Sequence, residues 1–559
     1  MVRWLSIALL LSATLAADER WIIVKSGPFE VYSEAGDHAA RERLNDLEQF
    51  REGVANVIGK KDLKLVWPLR LLIFKKQPPV SPGQIAFGRD ANMAALAENS
   101  GMPPQLKKQL LRLLLDDNTN RMPAAIEAGL IEVFSTLQID GAKLTLGAPV
   151  PQAERSRDWA RIQMLTTDPA FSGRTRVLLS NLTQSPDMVS ACRNAYEKLP
   201  SQIEKQLDDY IKAGTFGTAN VSGRAINASH DFHPLDLESD ASRAAQADVL
   251  LAFQQYPQAG AIYSKLQIPE GLEGQGLVAL KEGRKDDARK FFGAASDAGS
   301  KSASLWLNLG LLEPDKIKSR ADLRKAGDLN PNWGEPWRLH ANSDPTADLK
   351  ITDLKKAAAL EPRNAEYWQE LAKVATDANQ YSDAARAWSG AERAAVDDAE
   401  RERIRQVRLD MEGKRSDFEA AERKRIADER AAEEERVKKQ GMDEIHAAEE
   451  AARKKLNPNG EAVPKATLWI DEVNGNAKAT GTLVKFECMG KQARLVIQGD
   501  DGKPMQLAVR SASQVGMPEG EKMVPCGVQN PPRHVVVQYV AQPDKRLGTA
   551  GDATVIEYR

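Results

Sequence analysis

Histidine and aspartate side chains stand close together at one place in the sequence, the run HDFH. His230 and His233, with Asp231 between them and Asp236 shortly after, offer the nitrogen and oxygen ligands that bind a divalent metal ion. The run lies in a predicted loop, and no further ligand follows at the spacing of a metal site. The sequence therefore predicts no metal at these residues.

Other motifs of enzyme chemistry are missing from the sequence. Gly223 lies in VSGRAIN, which lacks the Gly-x-Ser-x-Gly context of a nucleophilic serine. No glycine-rich phosphate-binding loop occurs either. We therefore predict that the chain uses no cofactor.

The three cysteines suggest a structural role rather than a catalytic one. Cys488 and Cys526 both fall in a β-rich C-terminal region, and an oxidising compartment would allow them to form a disulfide. The alternative is two buried free thiols. His534 is the only histidine of that region, so a cysteine–histidine metal site is not expected. Cys192 is left over and is expected to pack as a small hydrophobic side chain.

The segment RLLLDDNTNRMPAAIEAGLIEVFSTL, residues 112–137, resembles a motif of a known family. It is similar to the gluzincin-type, peptidase-MA-like domain that precedes tetratricopeptide repeats in exported bacterial proteins. The positions that match the family's "Leu-Pro-x-Trp-Leu-Asn-Glu-Gly-Leu-Ala-Glu-Tyr-Phe-Ser" segment are Pro123, Gly129, Leu130, Glu132, Phe134 and Ser135. The resemblance covers roughly residues 20–220, and the alternative is an ordinary helix pair.

The resemblance implies a zinc site whose residues have been replaced. In the family, a helix carries His-Glu-x-x-His, with two zinc ligands and a general base, and the glutamate before the glycine is the third ligand. Lys108 and Arg112 align with the two histidines, Gln109 with the base and Ala128 with the third ligand. Two cations repel Zn²⁺, and neither Gln109 nor Ala128 supplies the missing chemistry. We therefore predict a pseudo-peptidase.

Two glutamates remain close to these positions. Glu127 and Glu132 are one and four residues from the third-ligand position, so neither is a ligand in this register. No histidine occurs between His38 and His230 that could restore the site in another register. Strands and helices alternate through residues 18–220, which predicts an α+β domain.

Residues 235–395 contain a divergent internal repeat. LRKAGDLNPNWGEPW (323–337) and LKKAAALEPRNAEYW (354–368) match almost position for position, each with a helix end, a proline and a tryptophan. The pattern predicts an all-α, tetratricopeptide-like solenoid, and the alternative is a generic helical bundle. Residues 340–352 fit the repeat poorly. The side chains expected to pack between the helices are Trp337, Trp368, Ala384 and Trp388.

Charged residues dominate 396–457. Opposite charges recur three and four residues apart, which predicts an exposed helix that serves as a spacer. Its apolar residues do not hold a heptad, so a coiled coil or partner-binding helix is the less favoured alternative. Asn457 to Gly460 predict a turn after it. Residues 462–559 switch to five to seven short strands, which predict a small all-β barrel or sandwich. The strand-like runs are TLWIDEV (467–473), ATGTLVKFEC (479–488), QARLVIQ (492–498), MQLAVRS (505–511) and HVVVQYV (534–540).

The first seventeen residues have the composition of a cleavable signal peptide. A short cationic start, the apolar run WLSIALLLSA and small residues up to Ala17 precede the polar Asp18. The sequence therefore predicts a periplasmic or secreted protein. No later apolar run is long enough to span a bilayer, so no integral membrane segment is expected after cleavage.

The overall composition excludes some function classes. The chain has 559 residues, with 77 Lys and Arg against 79 Asp and Glu, a net charge of −2. Nucleic acid is an unexpected partner for such a chain, because little would drive counterion release from phosphates. We expect a multidomain, non-catalytic scaffold with a protein or peptide partner. The alternatives are a hydrolase with an unrecognised site and a structural protein of the cell envelope.

Overall fold

The computed structural model describes residues 20–456, 475–490, 492–511, 515–517 and 523–559. The predicted signal peptide (1–17), the turn predicted at 457–460 and a strand predicted at 467–473 lie outside the described residues. The chain divides into two compact units, residues 1–428 and 429–559.

The helices and strands of the described residues are as follows. The strands of the first unit are β1 (Ile22–Ser26), β2 (Phe29–Ser33), β3 (Leu69–Phe74), β4 (Ala86–Phe87), β5 (Asn92–Ala97), β6 (Gln138–Asp140), β7 (Lys143–Leu146), β8 (Ala219–Ser222) and β9 (Leu235–Asp236). The helices that precede β9 are α1 (Asp37–Ile58), α2 (Pro104–Asp116), α3 (Ala124–Ser135), α4 (Arg157–Thr167), α5 (Thr175–Leu182), α6 (Met188–Tyr196), α7 (Pro200–Ala213) and α8 (Ala228–Asp231), with a short 3-10 helix at Gln152–Glu154. The helices that follow β9 are α9 (Ser239–Ala252), α10 (Tyr256–Tyr263), α11 (Pro269–Lys281), α12 (Lys285–Asp297), α13 (Ala303–Leu312), α14 (Lys316–Leu329), α15 (Glu335–Asn342), α16 (Ala347–Leu360), α17 (Ala365–Asp377), α18 (Tyr381–Ala394) and α19 (Asp398–Leu456). The strands of the second unit are β10 (Ala477–Met489), β11 (Gln492–Gly499), β12 (Pro504–Val509), β13 (Gly527–Val540) and β14 (Asp552–Tyr558).

A mixed six-stranded sheet lies at the centre of the N-terminal region, in the order β4-β5-β3-β2-β1-β9. β1 and β2 form a hairpin whose turn places Gly27 at φ +51°, a conformation that glycine adopts without strain. β2, β3 and β5 run parallel, and the short edge strands β4 and β9 are antiparallel to their neighbours. A separate antiparallel sheet contains β6, β7 and β8. Strands and helices therefore mix in this region, as predicted.

The two faces of the six-stranded sheet are covered by different parts of the chain. Leu71 belongs to a large core that contains residues of α1 to α7. Leu72 and Met93, on the opposite face, pack in a second core with Val249 of α9. The first helix of the helical region therefore shares a hydrophobic core with this face of the sheet.

From α9 to α18 the chain forms five consecutive helical hairpins, here called the helical array. The hairpins are α9–α10, α11–α12, α13–α14, α15–α16 and α17–α18, and each packs against the next. α14 ends at Leu329 and α16 at Leu360, each two residues before a proline, where a helix cannot continue. The array therefore forms a solenoid of helix pairs, which confirms the predicted tetratricopeptide-like architecture in outline.

α19 is one continuous helix of 59 residues. Its side chains are exposed except those of Ile404 and Met411 and a few half-buried neighbours, and ion pairs such as Glu422–Arg425 link successive turns. Gly413 and Gly441 do not interrupt it. Within the described residues, no helix is both long enough and apolar enough to cross a membrane.

The second unit contains a closed five-stranded barrel in the order β10-β11-β12-β14-β13. β12 and β14 pair in parallel and the other neighbours are antiparallel, which is the arrangement of an OB-type barrel. Apolar side chains of every strand fill its interior, including Leu483, Leu495, Leu507, Val535 and Ile556. Four of the barrel strands match runs predicted from the sequence, whereas β14 was not among the predicted runs.

Candidate functional site

The four positions that align with the zinc site lie on α2 and α3. The leucines of α2, among them Leu110 and Leu114, face the core, so Arg112 is exposed and Lys108 is half-buried. Neither cation makes an ion pair with any described residue. The Gln109 side-chain oxygen accepts a hydrogen bond from the backbone N–H of Ile85. Ala128 is half-buried on α3.

The glutamate that immediately precedes Ala128 is bound by an arginine of the helical array. Both oxygens of Glu127 pair with the Arg363 guanidinium, Nη2 to Oε1 at 2.7 Å and Nη1 to Oε2 at 3.1 Å. Glu127 Oε1 also accepts a hydrogen bond from the Met122 backbone N–H at 2.7 Å. This carboxylate therefore holds two parts of the chain together and is not available as a metal ligand or base.

Glu132 and Gly129, both shared with the family motif, serve the packing of α3 on α4. The Ser156 hydroxyl donates to Glu132 Oε2 at 2.5 Å and accepts from the Trp159 backbone N–H at the start of α4. A Cβ at position 129 would collide with the Asp158 carbonyl oxygen, so α3 and α4 approach closely only because glycine stands there. The retained motif residues are thus explained by packing.

Arg363 forms a buried contact between the turns of the helical array and the N-terminal region. Its side chain is 5% exposed, and it comes from the turn between α16 and α17. Besides Glu127 it binds Asp116 at 3.0 Å, and it donates to the backbone carbonyls of Thr119 and Asn120 at 2.8 and 3.0 Å. Every guanidinium nitrogen therefore has a partner, a geometry that favours arginine over lysine.

Other turns of the array touch the N-terminal region in the same way. Asn330 donates to the Val66 carbonyl at 3.0 Å, and the rings of Trp67 and Trp333 meet edge to face at 4.8 Å. The Arg121 guanidinium donates to the carbonyl of Ala394, the last residue of α18, at 2.9 Å. The turns between successive hairpins therefore form one edge of the array, and this edge lies against the N-terminal region.

An acidic side chain beside this edge has a perturbed pKa. Burial raises the pKa of Asp117 to about 7, and the nearby carboxylates of Asp116 and Glu361 add to the effect. The hydrogen bond from the Val66 backbone N–H to Asp117 Oδ2, at 2.7 Å, acts in the opposite direction. Asp117 is therefore substantially protonated in the folded protein at neutral pH.

The tryptophans of the predicted repeat lie between helices, as expected for packing residues. Trp337 and Trp388 are buried and Ala384 is fully buried. The Trp368 ring lies against α18, where a Cβ at position 390 would come within 2.5 Å of Trp368 Cδ2. Gly390 therefore allows α17 and α18 to pack face to face at this ring.

A groove of about 720 Å³ opens beside Trp368, and we call it the array groove. Apolar and small side chains of α17 and α18 line part of it, and charged side chains line the rest. Lys355 binds Asp383 at 2.8 Å, Arg386 pairs with the same carboxylate, and Arg393 is exposed. The lining thus contains three cations and one carboxylate, which gives the groove a net positive charge. The lining residues are Lys355, Trp368, Leu371, Asp383, Ala385, Arg386, Ala387, Ser389 and Arg393.

The HDFH run does not form a cluster in the fold. His230 is exposed and contacts Asp231 at 2.9 Å, and His233 is also exposed. Asp236, in β9, binds Arg20 at 2.6 Å instead. Within the described ranges, these side chains do not converge on a common point.

A different set of ligand-type side chains converges inside the array and was not predicted. His340 on α15, Asp344 in the following turn and Asp353 on α16 each place one ligand atom within 4.8 Å of the others. The histidine and Asp344 are buried. The sequence signal was a histidine and an aspartate four residues apart, His340 and Asp344, in the segment that fits the repeat poorly.

The barrel carries the disulfide that joins Cys488 to Cys526. The bond links the end of β10 to the residue before β13. Cys192 lies elsewhere and is a buried free thiol, and burial raises its pKa to about 11. A cleft of about 690 Å³ opens on the barrel surface, with Lys478, Asp500 and Lys503 among its lining residues.

Comparisons with known proteins return tetratricopeptide-repeat proteins of known structure. One is YrrB, described as a TPR protein with an unusual peptide-binding site, at 16% identity and TM-score 0.26, covering 30% of this chain and 91% of that one. Another is MamA from Desulfovibrio magneticus RS-1, at 14% identity and TM-score 0.25, covering 28% and 94%. A third is TTC0263, a thermophilic TPR protein from Thermus thermophilus, at 17% identity and TM-score 0.23, covering 31% and 98%. No family model and no curated protein matches the chain.

Proposed function

We propose that the protein is an exported scaffold that binds an acidic, extended peptide segment of a partner protein in the array groove. The observation that carries this proposal is the composition of the groove, an apolar floor at Trp368 and Leu371 beside a cationic rim. Arg386 and Arg393 are exposed at that rim. Cationic side chains steer and select acidic partners, while apolar contacts supply affinity.

The N-terminal region acts in this proposal as a pseudo-peptidase domain without catalytic chemistry. Lys108, Gln109, Arg112 and Ala128 stand where the resemblance requires zinc ligands and a base. The nearby Glu127 carboxylate forms an ion pair with Arg363, and this pair joins the N-terminal region to the array. The domain then contributes a fixed support for the edge of the array.

Export is part of the same proposal. It is supported by the predicted signal peptide and by the Cys488–Cys526 disulfide, since structural disulfides persist in oxidising compartments. Fractionation of the source cells tests this location. We expect the shortened mature chain in the envelope or medium, and a full-length chain in the cytoplasm would contradict it.

A peptide-binding experiment tests the scaffold proposal. The full chain is titrated into a fluorescent ten-residue peptide of alternating leucine and glutamate, and anisotropy is compared with that of a leucine–lysine peptide of the same length. We expect saturable binding of the acidic peptide that weakens as salt rises, because exposed charges are screened. Equal binding of both peptides, or binding of neither, would contradict the proposal.

Matched variants identify the groove as the binding site. Arg386→Glu combined with Arg393→Glu reverses two charges of the rim and should weaken binding at least about tenfold, the effect of about 1.4 kcal/mol. Arg324→Glu changes an equally exposed arginine on α14, outside the groove, and should leave binding unchanged. If both variants lose affinity equally, the acidic peptide binds by overall charge and not in the groove.

An activity assay tests the non-catalytic part of the proposal. The purified chain is incubated with casein, with and without added zinc, and with a chelator. We expect no metal-dependent cleavage of casein, that is, no cleavage that stops when the chelator is added. Chelator-sensitive cleavage would favour the hydrolase alternative.

A further inference from the structure

A buried carboxylate oxygen inside the helical array lacks a hydrogen-bond donor. The Asp344 side chain is 1% exposed, and its Oδ1 pairs with Arg320 of α14. Its Oδ2 is buried and accepts no hydrogen bond from any described residue. Such an oxygen is costly to bury unless a donor or a cation satisfies it.

The groups that surround this oxygen are themselves metal ligands. His340 Nδ1 lies 3.8 Å from Asp344 Oδ2, which is beyond hydrogen-bonding distance. The same nitrogen lies 2.5 Å from Asp353 Oδ2, so its single proton, when present, is directed to Asp353. One imidazole nitrogen and two carboxylate oxygens therefore face one another within 4.8 Å, and the histidine Nδ1 is close enough to bond only one of the two carboxylates.

Three elements of the fold position these groups. His340 lies in the last turn of α15, Asp344 follows in the connecting turn, and Asp353 lies on α16. The His340 and Asp353 side chains are 11% and 15% exposed, whereas that of Asp344 is 1% exposed. The cluster is thus buried on one side and reachable by solvent on the other.

We propose that His340 Nδ1, Asp344 Oδ2 and Asp353 Oδ2 bind one divalent cation of the zinc class. A mixed set of one imidazole and two carboxylates suits Zn²⁺, and three protein ligands leave a fourth position for water. Arg320 would orient Asp344 by bonding its other oxygen, Oδ1, as hydrogen bonds outside a metal site orient the ligands. The cation would link α15 to α16 and occupy a site unrelated to the degenerate positions on α2 and α3.

Cobalt binding by the full chain tests the site directly. The protein is stripped with EDTA, dialysed and titrated with Co²⁺, whose visible absorption reports nitrogen and oxygen coordination. We expect one cobalt per chain, displaced by Zn²⁺. The absence of cobalt binding by the wild-type protein would overturn the proposal.

Conservative variants assign the bound cation to these residues. His340→Gln and Asp353→Asn each remove one ligand with little change in volume, and both should lose the cobalt spectrum. His230→Gln is the matched control, because His230 is exposed beside a single aspartate, and this variant should keep the full stoichiometry. Retention of the spectrum by either ligand variant would overturn the proposal.

Thermal unfolding provides a second measurement that does not depend on the spectrum. Zn²⁺ should raise the Tm of the wild-type protein, because a ligand that binds only the folded state stabilises it. The metal-free Tm of each variant shows that it folds. A Zn²⁺-induced rise in Tm of the same size in His340→Gln would place the bound metal elsewhere and overturn the proposal.

Discussion

Charged residues have different surroundings in the α2–α3 region and in the array groove. Near α2 and α3, the carboxylates of Glu127 and Glu132 are tied to partners inside the protein. In the groove, by contrast, Arg386 and Arg393 remain exposed around an apolar floor. The acidic side chains near the motif-like segment are therefore engaged in contacts within the protein, whereas the cationic side chains of the groove are free to meet a partner, as the proposed function requires.

The substitution expected to change stability most is the removal of the Arg363 side chain. Arg363→Ala leaves the Glu127 carboxylate half-buried without its ion pair, and breaking a buried pair in this way costs about 3–5 kcal/mol. We expect a large fall in the free energy of unfolding, measured with urea. Arg386→Ala is the matched variant in the groove; its side chain is 72% exposed, so the loss should be below about 1 kcal/mol.

Arg363→Lys sharpens the same test. A lysine keeps the charge, but its three N–H donors on one nitrogen cannot serve Glu127, Asp116 and the two backbone carbonyls together. We expect the free energy of unfolding of Arg363→Lys to lie between that of Arg363→Ala and that of the wild-type protein. Stability equal to that of the wild-type protein would show that only the charge matters.

The pH dependence of Asp117 tests the same edge of the array. Its folded pKa of about 7 lies above the unfolded value, so the folded state holds a proton that the unfolded state releases. The contribution of this protonation to stability is full below about pH 4 and is lost as pH rises through 7. Asp117→Asn should therefore stabilise the protein by up to about 4 kcal/mol at pH 8 and hardly at all at pH 4. A difference from wild type that does not change with pH would refute the raised pKa.

Gly390 packs against the ring of Trp368, which lines the array groove. Gly390→Ala places a methyl group against the Trp368 ring, which is held by a hydrogen bond from its Nε1 to the Pro362 carbonyl at 3.0 Å. Overpacking outweighs the gain in helix propensity, and we expect a net loss of about 1–2 kcal/mol together with weaker peptide binding.

Gly293→Ala is the control for this variant. Gly293 lies on α12 and has no heavy atom near the position of an added Cβ, so alanine should stabilise the helix by about 0.5–1 kcal/mol. Opposite signs at positions 390 and 293 would confirm the close packing at Trp368. The same sign at both would contradict it.

The smallest effects are expected at the degenerate positions. Gln109→Ala removes the acceptor for the Ile85 backbone N–H and should cost about 1 kcal/mol. Arg112→Ala changes an exposed side chain and should stay within about 0.5 kcal/mol of the wild-type protein. Both are measured by thermal unfolding. A large loss of stability with Arg112→Ala would point to a contact that a surface arginine does not provide.

Local patterns carried most of the fold prediction. The prolines that follow Leu329 and Leu360 stop helices by excluding a backbone hydrogen bond, and the charge spacing of 396–457 needs no partner to form a helix. Pairings between distant residues were not predictable. Arg363 and Glu127 are 236 residues apart, and no local propensity encodes their contact.

The candidate metal cluster is a second feature that the sequence analysis did not predict. His340 and Asp344 occupy the segment where the repeat pattern fails, and both are polar residues buried inside the array. A local conflict of this kind often marks a functional site. The resemblance pointed to α2 and α3 instead. There, Gly129 and Glu132 both serve the packing of α3 against α4.

Arg363 also sets the tolerance of the N-terminal region to substitution. Two of its acceptors are backbone carbonyls, which every residue at positions 119 and 120 supplies. A saturation mutagenesis map should therefore be permissive at Asn120 and Arg112 and restrictive at Glu127. Through Arg363, the helical array thus constrains the backbone of the α2–α3 turn more strictly than the side chain at position 120.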